Sequence, residues 1–294
     1  MKSKWIVWTV FPALSILFSC SKNSSDSNHP VAPDPGLKVD SSKCVLTAVH
    51  YLNEPFGTPY HQQTTYFHYD SLKRVTMRNG GPTDLYTYEP GKVTVRSYIN
   101  SVVDSNLSQK YIYTLDNNGR VVTETIYSYL YPKSENDIRY QYKKGYEYNA
   151  DGYLTSKKKY AANQNLDEET KYFYQNGNLL KREIDHYDLS KNPSVKKGTD
   201  TITYTYDNTS YYPEAYYLYE INEYSYIQIN RYNKNNIIAV QSKYYQPKSN
   251  WGEFATIQYT YYAKGPRLEK VDLTATSTTN FSFNSTITFD FNCR

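Results

Sequence analysis

No helical periodicity lasts three turns anywhere after residue 20, so neither a helical bundle nor a layered α/β fold has a sequence to build on. Aliphatic residues are scarce for a thick dry core, and mean hydropathy is −0.77. Five histidines are present, His29, His50, His61, His68 and His186. None forms His-x-x-x-His or stands near a cysteine at zinc spacing, so the common metal centres are excluded. There is no Gly-x-Ser-x-Gly elbow and no phosphate-cradling glycine loop, and nothing points to a cofactor. The formal charge of +4 includes Lys2 and Lys4; without residues 1–19 it falls to +2 (31 basic against 29 acidic residues). That balance is too mild to make nucleic acid a partner.

What the chain has in excess is tyrosine, 36 residues against 10 Phe and 3 Trp. The tyrosines fall into a worn repeat whose clearest copy is Tyr111-Ile112-Tyr113-Thr114-Leu115-Asp116-Asn117-Asn118-Gly119-Arg120-Val121-Val122. Related stretches centre on Tyr69, Tyr88, Tyr148, Tyr174, Tyr206, Tyr232 and Tyr261. A wandering spacing of that size marks one supersecondary unit used repeatedly. Period-two alternation places paired aromatics on one face of a strand. The Asp/Asn-Gly segment that follows supplies a hairpin turn, with Asn235-Asn236 standing in where glycine is missing. The copies predict an all-β fold, a long antiparallel β-meander of some 16–18 strands. At ~4.8 Å per strand the sheet is ~80 Å wide, and closing it would give a radius near ~16 Å, too wide for wall side chains to fill. The expectation is therefore a curved, largely single-layer sheet whose tyrosine face stays half wet. A flattened or closed large β-barrel is the alternative.

These residues resemble the YD-repeat (RHS-like) family, whose core pattern is Tyr-x-Tyr-Asp-x-x-Gly-Arg-Leu. The resemblance covers roughly residues 60–270, with Tyr153 and Asn178 replacing the arginine in two copies. The layout is also similar to Tyr-rich lipoproteins of unknown function from Bacteroidetes. The resemblance implies curved β-strips that coil into a shell, and it brings no catalytic residues.

The first 19 residues read as a lipoprotein signal peptide. Lys2 and Lys4 precede the apolar run Trp5–Phe18, and Leu17-Phe18-Ser19-Cys20 is a lipobox-like cleavage site. The run is shorter than a spanning helix needs and contains Pro12, although a retained anchor helix is the competing reading. Cys20 is the expected lipidation site, with membrane lipid as the first partner; two or three acyl chains anchor firmly where one does not. Residues 20–40 form the lipidated cysteine and a flexible tether about 25 Å in mean reach. Residues 41–294 are the repeat domain. The expected address is the cell envelope, at the outer membrane, with the leaflet open. Once Cys20 is acylated, Cys44 and Cys293 are the remaining thiols, at the first and last strands; they form either a disulfide or two separate buried thiols.

Candidate chemistry is thin. Asp185-His186-Tyr187-Asp188 resembles a catalytic cluster, but on a strand its members alternate faces. The turn residues Asp116, Asp151 and Asp207 fit backbone capping better than calcium. Asp167-Glu168-Glu169 reads as a solvated loop end. A denser tyrosine group, Tyr211, Tyr212, Tyr216, Tyr217 and Tyr219, lies outside the repeat register and is the candidate binding patch for a glycan or an envelope protein. The function expected is non-enzymatic binding or scaffolding; a glycan-processing hydrolase and a fragment of an RHS-like shell are the alternatives.

Overall fold

The computed structural model describes residues 44–52, 63–80, 82–99, 107–129, 138–191, 193–210, 233–248, 252–264, 267–279 and 282–293. Its sixteen described strands begin with β1 (Cys44–Leu52), β2 (Gln63–Tyr69), β3 (Val75–Asn79), β4 (Thr83–Glu89), β5 (Lys92–Tyr98) and β6 (Leu107–Leu115). They continue with β7 (Val121–Tyr129), β8 (Ile138–Tyr148), β9 (Leu154–Tyr160), β10 (Leu166–Gln175) and β11 (Asn178–Asp188). The last are β12 (Val195–Ser210), β13 (Asn235–Lys248), β14 (Gly252–Lys264), β15 (Arg267–Ser277) and β16 (Ser282–Cys293). Every strand pairs antiparallel with its neighbours in sequence, and β1 pairs with β16, so the meander closes into a barrel.

Closure corrects the expected open strip in favour of the alternative. An open meander would leave two strand edges with unpaired amides and carbonyls; pairing β1 with β16 removes both. The half-wet tyrosine face is corrected as well. Inward side chains from all sixteen strands form one buried cluster that includes Leu46, Tyr113, Leu154, Ile237 and Leu268, each 0–1% exposed. Partly buried tyrosines pack against this cluster and give their hydroxyls to backbone carbonyls.

The repeat unit explains how. In the turn 116–120, Asp116 Oδ1 accepts the amides of Asn118 and Arg120, both at 2.9 Å, while Gly119 takes φ +76°. The 70–74 turn is built identically, with Lys73 at φ +60°. Each aspartate also holds its arginine at 2.7 Å. Those arginines lie over tyrosines of the next hairpin: Arg74 sits 4.4 Å from the Tyr88 ring centre and Arg120 5.0 Å from that of Tyr148. The tyrosine hydroxyls reach back to the preceding strand. Tyr69 donates to Leu46 O, Tyr88 to Val75 O, Tyr148 to Val121 O, Tyr206 to Leu179 O and Tyr261 to Ile237 O, over 2.5–2.9 Å. Tyrosine, aspartate and arginine thus clasp consecutive hairpins at the barrel end that carries Cys44 and Cys293.

Two local expectations change. Asn235-Asn236 is not a turn: it opens β13, where Asn235 and Asn178 exchange two hydrogen bonds of 2.9 Å across 57 residues. Asp167, Glu168 and Glu169 lie inside β10, where Lys159 and Lys157 neutralise the first two, at 2.6 and 3.2 Å. The closing strand β16 carries phenylalanine and isoleucine on its inward face and is buried like the tyrosine strands, Phe289 being 5% and Tyr113 0% exposed.

Candidate functional site

At the barrel end away from the termini, β10–β13 frame a cleft of about 230 Å³. It is lined by Asp167, His186, Tyr187, Lys197, Asp200, Tyr245 and Gln246. As alternation predicts, Asp185 and His186 face opposite ways. Instead of its sequence neighbours, His186 uses Asp200 of the adjoining strand, Nε2 to Oδ2 at 2.9 Å. Asp200 is 4% exposed, and its other oxygen accepts the Tyr245 amide at 2.6 Å. Tyr245 sits where the β13–β14 register breaks, and its ring folds over Gly198. A Cβ at 198 would stand 2.0 Å from that ring, so only glycine permits the packing. An aromatic face beside a buried acid, an imidazole and a lysine suits a small polyhydroxylated ring. Among the described residues, no hydroxyl or thiol is hydrogen-bonded to the other nitrogen of His186. Among these residues a nucleophile relay of the serine-hydrolase kind is not assembled at His186.

A second chain crosses the seam on the outer wall. Asp290 Oδ2 meets His50 Nε2 at 2.8 Å, and His50 Nδ1 meets Thr64 Oγ1 at 2.9 Å. A neighbouring cavity of about 530 Å³ touches Asp290 but neither His50 nor Thr64, so the hydroxyl is not presented to it. This chain ties β16, β1 and β2 together. Neither histidine pairing was legible in the sequence, because each partner comes from another strand. Among the described residues, no three His, Cys, Asp or Glu side chains group as metal ligands would.

The two wall faces differ in chemistry. Outside, Lys196 and Lys171 approach Asp185 at 2.6 and 3.3 Å, and Thr199 donates to it at 2.7 Å. Burial alone would raise the Asp185 carboxyl, but the hydrogen bonds from Lys196, Thr199 and Lys171 outweigh it and hold the group below the usual carboxylate range. Lys158–Glu147 at 2.9 Å and Lys270–Asp272 at 2.7 Å continue this polar face. Inside, charges lie among the tyrosine and aliphatic side chains, as in Glu124–Lys144 at 2.9 Å, Arg78–Asp84 at 2.7 Å and Lys157–Glu168 at 3.2 Å.

Of the sequence candidates, Asp116 and Asp207 cap backbone amides, Asp207 accepting that of Thr209 at 3.0 Å. Cys20, the group Tyr211, Tyr212, Tyr216, Tyr217 and Tyr219, and the side chains of Cys44 and Cys293 lie outside the described residues.

No family model and no curated protein matches the chain. Among solved structures it is similar to a porin-like protein from Bacteroides uniformis, with TM-score 0.56 and 12% identity over 88% of this chain and 99% of that one. It is likewise similar to a porin-like protein from Bacteroides vulgatus, with TM-score 0.55 and 13% identity over 84% and 98% of the two chains. At such identities the likeness is one of fold: a closed antiparallel barrel.

Proposed function

We propose that the chain is a YD-repeat lipoprotein of the cell envelope, anchored through acylated Cys20, whose barrel stands in water and binds a glycan at the cleft around His186, Asp200 and Tyr245. The role is binding rather than catalysis. The observation that carries the reading is the polarity of the wall. A barrel embedded in lipid turns an apolar band ~25 Å tall outward and keeps its polar residues inside. Here the outward face bears Asp185 with three donors, Lys158–Glu147 and Lys270–Asp272, while the inward face combines a tyrosine and aliphatic cluster with ion pairs such as Glu124–Lys144. Charged side chains at mid-bilayer would cost ~2–4 kcal/mol each, so acyl chains, not the strands, supply the attachment to the membrane.

Replacing residues 1–20 by a cleavable export leader without a lipobox tests the anchor. The barrel is then expected in the soluble fraction, whereas the native chain needs detergent. A leader-exported barrel that resists alkaline carbonate extraction would mean that the strands are embedded, and the reading would be lost. For the ligand, glycan fragments titrated against the native chain should bind, and Tyr245→Ala should weaken them at least tenfold. Binding unchanged in that variant places the ligand elsewhere, and capture of an envelope protein in preference to any glycan replaces the glycan by a protein partner.

A further inference from the structure

We infer that Cys44 and Cys293 are joined by a disulfide that makes the closing seam of the barrel covalent. The inference stands on backbone register. Cys44 pairs directly with Cys293 across β1–β16, followed by Val45 with Asn292 and Leu46 with Phe291 without interruption. Directly opposed residues of an antiparallel pair have Cα atoms about 4.5–5.5 Å apart, inside the ~4.4–6.8 Å that a disulfide spans. Any one-residue slip would set a cysteine against Asn292 or Val45 instead. Of the three cysteines in the chain, these are the two left once Cys20 carries lipid.

The position has a mechanical meaning. β1–β16 is the one strand pair whose members lie about 250 residues apart; every other pair in the ring is a sequence neighbour. Cys44 opens the first described strand, so in a lipoprotein held at Cys20 a pull carried along the chain reaches the described barrel at the first rung of this seam and would peel it rung by rung. A bond at that rung takes the load covalently. Formation balances as thiol–disulfide exchange: one cysteine thiolate attacks the disulfide of an oxidised dithiol oxidoreductase of the envelope, forming a mixed disulfide. The second thiolate then displaces the enzyme sulfur. Two electrons and two protons leave with the oxidoreductase, now a dithiol.

The inference rests on the envelope address proposed above, and the test separates the two. The full-length lipoprotein is isolated from membranes, denatured without reductant, alkylated with N-ethylmaleimide and digested. A cross-linked peptide pair containing Cys44 and Cys293 is expected, with neither residue alkylated until a reductant is added. Reduction should lower the thermal midpoint on the order of 10 °C, and Cys44→Ser and Cys293→Ser should each reproduce that shift without adding to one another. Alkylation of both cysteines before reduction overturns the inference. A parallel arm incubates the reduced, folded protein with oxidised glutathione. Bond formation there, with free thiols in the isolated protein, assigns the failure to the address; no bond in either arm assigns it to the register.

Discussion

Removing the Lys144 ammonium while leaving its partner in place is the most demanding perturbation of the barrel interior. Glu124 on β7 is only 2% exposed at its side chain and lies between Tyr113 of β6 and Lys144 of β8. Lys144 Nζ stands 2.9 Å from Glu124 Oε2, and Tyr146 donates its hydroxyl to the same oxygen at 2.5 Å. Burial first, and then the adjacent Glu124 charge, push the Tyr146 phenol far above its ordinary range, so it serves as a fixed donor. Lys144→Met leaves the carboxylate buried with that one donor, and breaking a buried pair in this way costs about 3–5 kcal/mol. For a chain of this size that corresponds to a fall in thermal midpoint on the order of 10 °C. The double variant Glu124→Gln, Lys144→Met removes both charges and still gives Tyr146 an acceptor, so it should return to within ~1 kcal/mol of the parent. Equilibrium guanidinium unfolding of the parent, both single variants and the double variant completes the cycle, with an expected coupling of ~2 kcal/mol or more. A single variant within ~1 kcal/mol of the parent, or a double variant as unstable as the sum of the singles, would refute the assignment of Glu124–Lys144 as a buried, mutually dependent pair.

Other consequences follow from the turns, the tyrosines and the cleft. For Asp70 and Asp116, burial raises the carboxyl, but hydrogen bonds from the backbone and guanidinium of Arg74 and Arg120 outweigh it and leave both below the ordinary range. Their stabilisation is present above pH ~4 and is lost as pH falls below it; thermal midpoints recorded from pH ~5 to ~2 should drop, and Asp116→Asn should flatten that limb. Burial raises the Tyr69, Tyr88, Tyr148, Tyr206 and Tyr261 phenols above their ordinary value, so their contribution holds below pH ~10 and is lost above it. Phenolate absorbance should lag until circular dichroism reports unfolding; a single immediate step near pH ~10 with the native spectrum kept would contradict this. Tyr206→Phe, which deletes the 2.6 Å bond to Leu179 O, should cost ~1 kcal/mol in denaturant unfolding. Gly198→Ala drives a methyl into the Tyr245 ring and should abolish cleft binding, whereas Gly145→Ala, with nothing within 4 Å of the added carbon, should leave binding unchanged.

Local chemistry was written into the chain and could be read there. Alternation of Tyr204, Tyr206 and Ile202 with threonines set the inward face of β12, and the Asp116-to-Arg120 segment set its turn through contacts between residues two to four apart. The opposite facing of Asp185 and His186 follows from strand geometry alone. Closure did not follow, because pairing Cys44 with Cys293 depends on register and twist accumulated over sixteen strands, which no short window contains. The same holds for His186 with Asp200, His50 with Asp290, and Asn178 with Asn235: each needs a neighbour that only the assembled wall supplies. Whether tyrosine stays wet or is covered was likewise a tertiary matter: the closed wall buries Tyr113, and the carbonyls of Leu46, Val75, Val121, Leu179 and Ile237 come within reach of the hydroxyls of the partly buried ones. Periodicity fixes which way a side chain points; only the closed sheet determines what it meets there.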